Sequence, residues 1–205
     1  HQDAPDKYTV VATVPTMLRL MIDTMGADEK WPALETVTTW GEGITWHDVE
    51  RLRNHLEPTA ELVVTYGATE AGAVAFYRVT SETPLGDGRV PAGKPMPGLK
   101  IRVVNEDGVE VAPGESGEIV VEGDIGAGYW KRPDLTEAVF RTLSDGSKVC
   151  WTRDRGRWLP DGNLEHLGRV DHMVKISGNR VDLGEIEVAL RSLSEVADAG
   201  VVTRE

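Results

Sequence analysis

Two short stretches of this chain combine residue types able to handle a nucleotide and a divalent cation. The first, Tyr66-Gly67-Ala68-Thr69-Glu70, follows an apolar, strand-like run. Tyr66 offers a ring face on which a base can stack, and Gly67 a place where a ligand can approach the main chain. Thr69 offers a hydroxyl for a phosphate oxygen and Glu70 a carboxylate for Mg2+. The second stretch is the turn Gly41-Glu42-Gly43, which closes another strand-like run. In an open α/β sheet, ligands gather outside the carboxyl ends of the strands, so both turns sit where such chemistry is expected. Chemistry alone leaves a plainer use open, because Thr and Glu at a strand end also cap a following helix.

The other polar candidates read more simply. His166 and His172 flank a turn without a third ligand in sight, too few for a metal site. Cys150 lies beside Trp151 in a strand-like run and reads as a buried small hydrophobe rather than a nucleophile. Glu115, Glu118 and Glu122 read as a solvated face, and Asp182 with Glu185 as a helix cap.

The elements that must position these residues alternate. Tyr8 to Val14 is apolar and β-branched, and Pro15 suits the first turn of a helix with Met17, Leu18, Met21 and Ile22 on its apolar stripe. Thr36 to Trp40 is a second strand, a helix starts at Trp46 with Val49, Leu52 and Leu56 on one face, and Glu61 to Thr65 is a third strand. Strand, helix, strand, helix, strand predicts a mainly parallel sheet. Between Thr83 and Gly98 stand four prolines and four glycines, the chemistry of a linker between subdomains. Lys100 to Val104, Gly117 to Glu122 and a hairpin around Pro160-Asp161-Gly162 read as antiparallel strands. Val170 to Ile176 reads as a strand leading to a helix with Leu183, Ile186, Leu190 and Leu193 on one side. The expected fold class is α/β: a mainly parallel sheet with helices, then a distal antiparallel β subdomain, then the beginning of a small α+β domain. The corresponding boundaries are 1–82, 83–170 and 171–205.

Composition narrows the classes of function. The 205 residues carry 22 basic and 34 acidic side chains, a formal net charge of −12, without a basic stripe, which argues against nucleic-acid binding. The longest run free of charge, Tyr8 to Leu18, is far short of the ~18 apolar residues of a membrane-spanning helix. One cysteine excludes an internal disulfide framework and fits a reducing, cytoplasmic setting. The chain opens on His1 and stops just after a new apolar run begins at Val201, which leads us to expect a fragment of a longer protein.

Taken in order, several motifs resemble one family. They are Tyr66-Gly67-Ala68-Thr69-Glu70; Gly117-Glu118-Ile119-Val120 with Gly123 and Gly128-Tyr129-Trp130; and Gly168-Arg169-Val170-Asp171 through Lys175, Gly178, Arg180 and Gly184-Glu185-Ile186-Glu187. The series resembles the adenylate-forming enzymes: nonribosomal peptide synthetase adenylation domains, acyl-CoA synthetases and firefly luciferase. The likeness to peptide synthetases is the greatest, in Gly128-Tyr129-Trp130-Lys131-Arg132-Pro133 and Val174-Lys175-Ile176.

The resemblance implies roles. Tyr66 stacks on adenine, Thr69 binds the α-phosphate, and Glu70 holds the metal ion, which makes Thr69 and Glu70 the catalytic pair. Gly41 and Glu42 belong to the turn lining the adenine pocket, although the family often shows Gly-Gly-Glu there. The ribose-binding aspartate of a Thr-Gly-Asp sequence corresponds to Asp154 in Thr152-Arg153-Asp154, with Arg153 in place of the glycine, either obstructing the site or adding a phosphate contact. Arg169 reaches the ribose and phosphates, Asp171 is the hinge of the small domain, and Lys175 and Gly178 belong to the loop lining the pantetheine channel. Ala12, Thr38, Trp40, Thr65, Ala73 and Val74 fall where the acid's side-chain pocket is lined, and the indole of Trp40 shortens that pocket toward a small or flat substrate.

The implied activity uses ATP and Mg2+ to activate a small carboxylic or amino acid as acyl-AMP. The acyl group then passes to a phosphopantetheine thiol, on a carrier protein or alternatively on coenzyme A. The Ser/Thr/Gly-rich phosphate loop ending in lysine and the late catalytic lysine of such enzymes are not found in these residues. We therefore expect the isolated chain to be inactive without the remainder of the domain. Two other readings stay open, an acyl-CoA synthetase fragment and a non-catalytic nucleotide-binding or interaction module.

Overall fold

The computed structural model describes residues 8–142, 146–170, 173–176, 179–193, 196 and 198–202. The chain divides into two compact units, His1–Gly67 with Ala73–Lys94, and Ala68–Gly72 with Pro95–Glu205.

The first unit is built on a five-stranded sheet in the order β1 (Val10–Thr13), β2 (Thr36–Trp40), β3 (Glu61–Ala68), β4 (Gly72–Val79) and β5 (Lys94–Pro95). The first two pairings are parallel, with Val10 opposite Thr36 and Thr36 opposite Glu61. Helices α1 (Pro15–Asp23) and α2 (Trp46–Arg53) make the crossovers. Leu18 and Ile22 from α1, Val49 and Leu52 from α2, and Val37 and Leu62 from the sheet form one apolar core.

The helix ends are fixed by side chains. Thr45 accepts a hydrogen bond from the Asp48 amide at 3.2 Å while Asp48 accepts from the Thr45 amide at 2.8 Å, a reciprocal capping box. Arg19 of α1 donates two bonds of 2.9 Å to the same carboxylate. Burial pushes the Asp48 carboxyl up, yet the bonds from Arg19 and Thr45 outweigh it and hold the group below its ordinary value.

Two expectations are corrected here. The third strand does not stop at Thr65 but runs to Ala68, so Tyr66, Gly67 and Ala68 are strand residues and only Thr69 and Glu70 lie in a turn. No helix follows for them to cap. Three residues lead straight into β4, a link short enough only for an antiparallel neighbour, so the sheet is mixed. Val74, Phe76, Tyr77 and Val79 supply the β-branched and aromatic content of this strand, and Gly72, at φ +71°, opens it.

The second unit contains an antiparallel sheet in the order β10 (Leu164–Arg169), β9 (Lys148–Trp158), β7 (Gly117–Gly123) and β6 (Leu99–Val104), with β8 (Phe140–Thr142) also on β9. A seven-residue helix that the sequence patterns do not announce, α3 (Pro133–Val139), precedes β8; Pro133 starts it and Asp134 lies in its first turn. Within the strand expected over Val170–Ile176, Met173–Ile176 form β11, which pairs in a hairpin with a strand the sequence patterns do not announce, β12 (Asn179–Asp182), and the expected helix follows as α4 (Leu183–Arg191). Asp171, His172 and Gly178 lie outside the described residues, as does the expected Asp182–Glu185 capping contact.

Candidate functional site

The second unit holds the chemistry. A cleft of about 290 Å³ is lined by Glu70, Tyr129, Trp151, Thr152, Arg153 and Arg169 among others. Glu70 is half-buried in the β3–β4 turn and is held at both ends. Its carbonyl accepts a bond from the Gly126 amide at 2.9 Å, and its carboxylate accepts one from the Tyr129 hydroxyl. Position 126 must be glycine for this, because a Cβ there would stand 2.6 Å from the Glu70 carbonyl oxygen. Bonded to that carboxylate and partly buried, the Tyr129 hydroxyl is pushed up to about 12, so it stays a donor throughout the physiological range.

Asp154 lies on β9 with 7% of its surface exposed. Thr152 braces it, donating to the Ile119 carbonyl at 2.8 Å and accepting from the Asp154 amide at 3.1 Å. Opposite, His166 Nε2 lies 3.5 Å and Arg169 Nη1 3.7 Å from the Asp154 carboxylate. In regular pairing, residues three apart on a strand face opposite sides. A bulge between His166 and Gly168 absorbs one residue and turns both His166 and Arg169 toward Asp154. His166 therefore belongs to the aspartate, a role its sequence neighbourhood does not reveal.

Arg153 adopts φ +59°, one of two non-glycine residues at positive φ among the described residues. The left-handed region costs an L-residue about 1–2 kcal/mol, which gives the family's glycine a physical reason. Its amide donates to Glu118 Oε1 at 3.0 Å. Glu118 is thus not a solvated residue: burial lifts its carboxyl, against the pull of Arg153 and Arg141. Glu122 likewise is turned inward, paired to Arg102 at 2.8 Å, while Glu115 is exposed as expected. Cys150 is fully buried, and burial together with the carboxylates of Glu70, Asp154 and Glu118 pushes its thiol up to about 12, far from nucleophilic reactivity at neutral pH.

Among the described residues no three His, Cys, Asp or Glu side chains gather as a metal cage. Mg2+ does not require one, since it is usually held by one or two carboxylates together with substrate phosphates. Glu70 is a carboxylate lining this cleft that could hold such an ion.

The first unit carries the remaining candidates. Register sets Ala12 beside Thr38 and Trp40 beside Thr65, and alternation puts all four on the sheet face opposite the core residues Val37 and Leu62. Trp40 is 44% exposed on that face. The Arg78–Glu61 ion pair marks the same face on β4 and β3, so alternation gives it Val74, which is fully buried, and turns Ala73 to the other side. Tyr66 shares the face of Leu62 and Val64. Gly41 takes φ +83°, and the Glu42 carboxylate accepts from the Thr16 amide at 3.1 Å and the Thr16 hydroxyl at 2.6 Å. Glu42 thereby caps the first turn of α1, whose N-cap Val14 has no side chain to do so, leaving the main chain of the turn as the part able to face a ligand. Thr69 is exposed in its turn, and Lys175 stands opposite Arg180 in the β11–β12 hairpin.

Comparison with known proteins shows what the chain is similar to. Residues 5–130 match the family of AMP-binding enzymes. Tyrocidine synthase 1 of Brevibacillus parabrevis is 34% identical over 100% of the chain, which spans 18% of that relative's length. The solved structure of Klebsiella oxytoca NpsA in complex with 3-hydroxyanthranilyl-AMSN superposes with a TM-score of 0.85 at 27% identity, covering 100% of this chain and 42% of that one. A holo four-domain nonribosomal peptide synthetase bound to AMP and glycine gives a TM-score of 0.78 at 30% identity, covering 97% of this chain and 15% of that one. With the family's match extending over more than half of its residues, the chain belongs to the AMP-binding enzymes.

Proposed function

We propose that this chain is part of an adenylation domain that activates a small amino or carboxylic acid as acyl-AMP and passes it to the phosphopantetheine thiol of a carrier protein. The observation that carries this reading is the cleft of the second unit. Glu70, oriented by Tyr129, lines it together with Arg169, and Arg169 faces a buried carboxylate beside the cleft, Asp154, which Thr152 braces. Asp154 has acceptor oxygens for two vicinal ribose hydroxyls. Arg169 and Thr69 supply donors for phosphate oxygens, and Glu70 would hold Mg2+. That ion, when bound, neutralises charge developing on the phosphates. Relatives solved with AMP and glycine and with an aryl-AMSN ligand support the pairing of an adenylate with a small acid.

Tyr66 and the main chain at Gly41 and Glu42 are assigned to the adenine, and Ala12, Thr38, Trp40, Thr65 and Val74 to the acid's side chain. The exposed indole of Trp40 favours a small or flat acid. Asp171 is assigned as the hinge and Lys175 with Gly178 to the thiol channel. A reducing cytoplasm suits a protein whose lone thiol is buried.

The test is acid-dependent ATP–pyrophosphate exchange by the full-length protein across a panel of acids. Exchange with a small acid, abolished by Asp154→Ala and Glu70→Ala, is the expected outcome; absence of exchange with every acid, from protein shown to bind ATP, overturns it. Trp40→Ala should admit larger acids. Loading assays with carrier protein and coenzyme A side by side decide the acceptor, with carrier protein expected.

A further inference from the structure

Arg153 holds a main-chain conformation that glycine adopts freely and arginine does not. Strain of this kind persists where surrounding structure enforces it, and its usual home is a functional site. Here the enforcement is visible. The Arg153 amide is bonded to Glu118, and the residues on either side are locked to each other through the Thr152 hydroxyl and the Asp154 amide. The result is directional. Asp154 is buried while the neighbouring arginine is exposed and lines the cleft with Arg169, Glu70 and Tyr129.

The cations in and beside the cleft are unequally paired. Arg169 faces Asp154 at 3.7 Å, the Glu70 carboxylate receives the Tyr129 hydroxyl, and Arg141 stacks 4.4 Å from the Trp151 ring centre. The Arg153 side chain forms no ion pair among the described residues, although its charge acts on Glu118 and on Tyr129. A second guanidinium on the rim of a cleft whose other cation is matched is a site for an anion, and the fork of an arginine fits two oxygens of one phosphate.

We propose that Arg153 is a binding residue for the phosphate chain of the nucleotide, a contact that this chain gains by placing arginine where the family's motif has glycine. The left-handed backbone aims the side chain, and the strain is offset only when the anion is bound. This inference rests on the nucleotide reading of the cleft but not on acyl-AMP chemistry.

The test compares Arg153→Gly and Arg153→Lys with the parent in the full-length protein, using direct binding of ATP, AMP and adenosine together with thermal unfolding. Arg153→Gly should weaken ATP by about tenfold or more, the loss expected for one charge-assisted contact, weaken AMP less, and leave adenosine unchanged. The same variant should unfold at a higher temperature without nucleotide, because glycine relieves the backbone; Arg153→Lys should recover part of the ATP affinity and none of the stability. Unchanged or tighter ATP binding in Arg153→Gly overturns the proposal and makes the side chain an obstruction. An equal loss for ATP and adenosine also overturns it, as a general disturbance of the cleft. ATP binding that responds as expected in a protein without exchange activity would uphold Arg153 while defeating the adenylation reading.

Discussion

The two units solve different problems with different materials. The first buries aliphatic side chains between two helices and a sheet, and several of its polar contacts serve helix ends: Thr45 with Asp48, Arg19 on Asp48, Glu42 on Thr16. The second places several of its polar contacts on carboxylates in and beside a cleft: Tyr129 on Glu70, Thr152 beneath Asp154, Arg153 on Glu118. The first unit is thus a scaffold whose charges hold elements in place. The second is a scaffold whose elements hold charges in place. The strain follows the same division, for the described non-glycine residues at positive φ, Lys131 and Arg153, both belong to the second unit.

The contrast can be broken most strongly at the apolar core. Leu52 of α2 is 1% exposed within the first unit's core, so Leu52→Ala should cost about 2–5 kcal/mol by urea unfolding. A loss below about 1 kcal/mol would mean that the core does not carry this unit.

Next comes the cap. Asp48→Ala removes a buried acceptor from both Arg19 and Thr45 and should cost about 1–3 kcal/mol. Because its carboxyl sits below the ordinary 3.8 in the folded protein, its contribution is present above that pH and is lost as the pH falls below it. Unfolding midpoints of the parent should therefore fall on acidification more steeply than those of Asp48→Ala; parallel curves would remove the cap from the account.

The smallest effect is expected in the second unit, where the contacts orient rather than stabilise. Tyr129→Phe should change stability by no more than about 1 kcal/mol near neutral pH. The Tyr129 hydroxyl is raised from 10.0 to about 12, so its contribution is present below pH 10 and lost as the pH rises through that window. An ultraviolet titration should show one tyrosine ionising late in the parent and missing from the variant. A tyrosine titration without a late step would separate Tyr129 from Glu70.

The same division governs what can be read from the sequence. In the first unit, Pro15 at a helix start, the apolar stripes of α1 and α2 and the β-branched run Thr36 to Trp40 are local signals, and each element forms where its residues point. The β3–β4 hairpin escapes because Tyr66 to Glu70 reads as a strand end with a helix to follow, while the alternation that extends the strand depends on a neighbour. In the second unit, Asp154, Arg169 and Glu70 are legible through motifs, which report residue type and order. Their partners are not. Tyr129 is 59 residues from Glu70, and Glu118 is 35 from Arg153. Solvated and inward-facing glutamates look the same in sequence, which is why Glu118 and Glu122 read as solvated and are not.

The inventory is local to the chain: strands and helices with their own periodicity, an ordered set of motifs that marks the family, and an arginine where the family's motif has glycine. Orientation is set by the fold. A single extra residue in β10 turns His166 and Arg169 onto Asp154, and one left-handed peptide aims Arg153 into the cleft while its neighbour is buried. Both follow from side-chain direction reversing with each residue along a strand, so a change of one position, invisible in composition or motif, selects which groups meet.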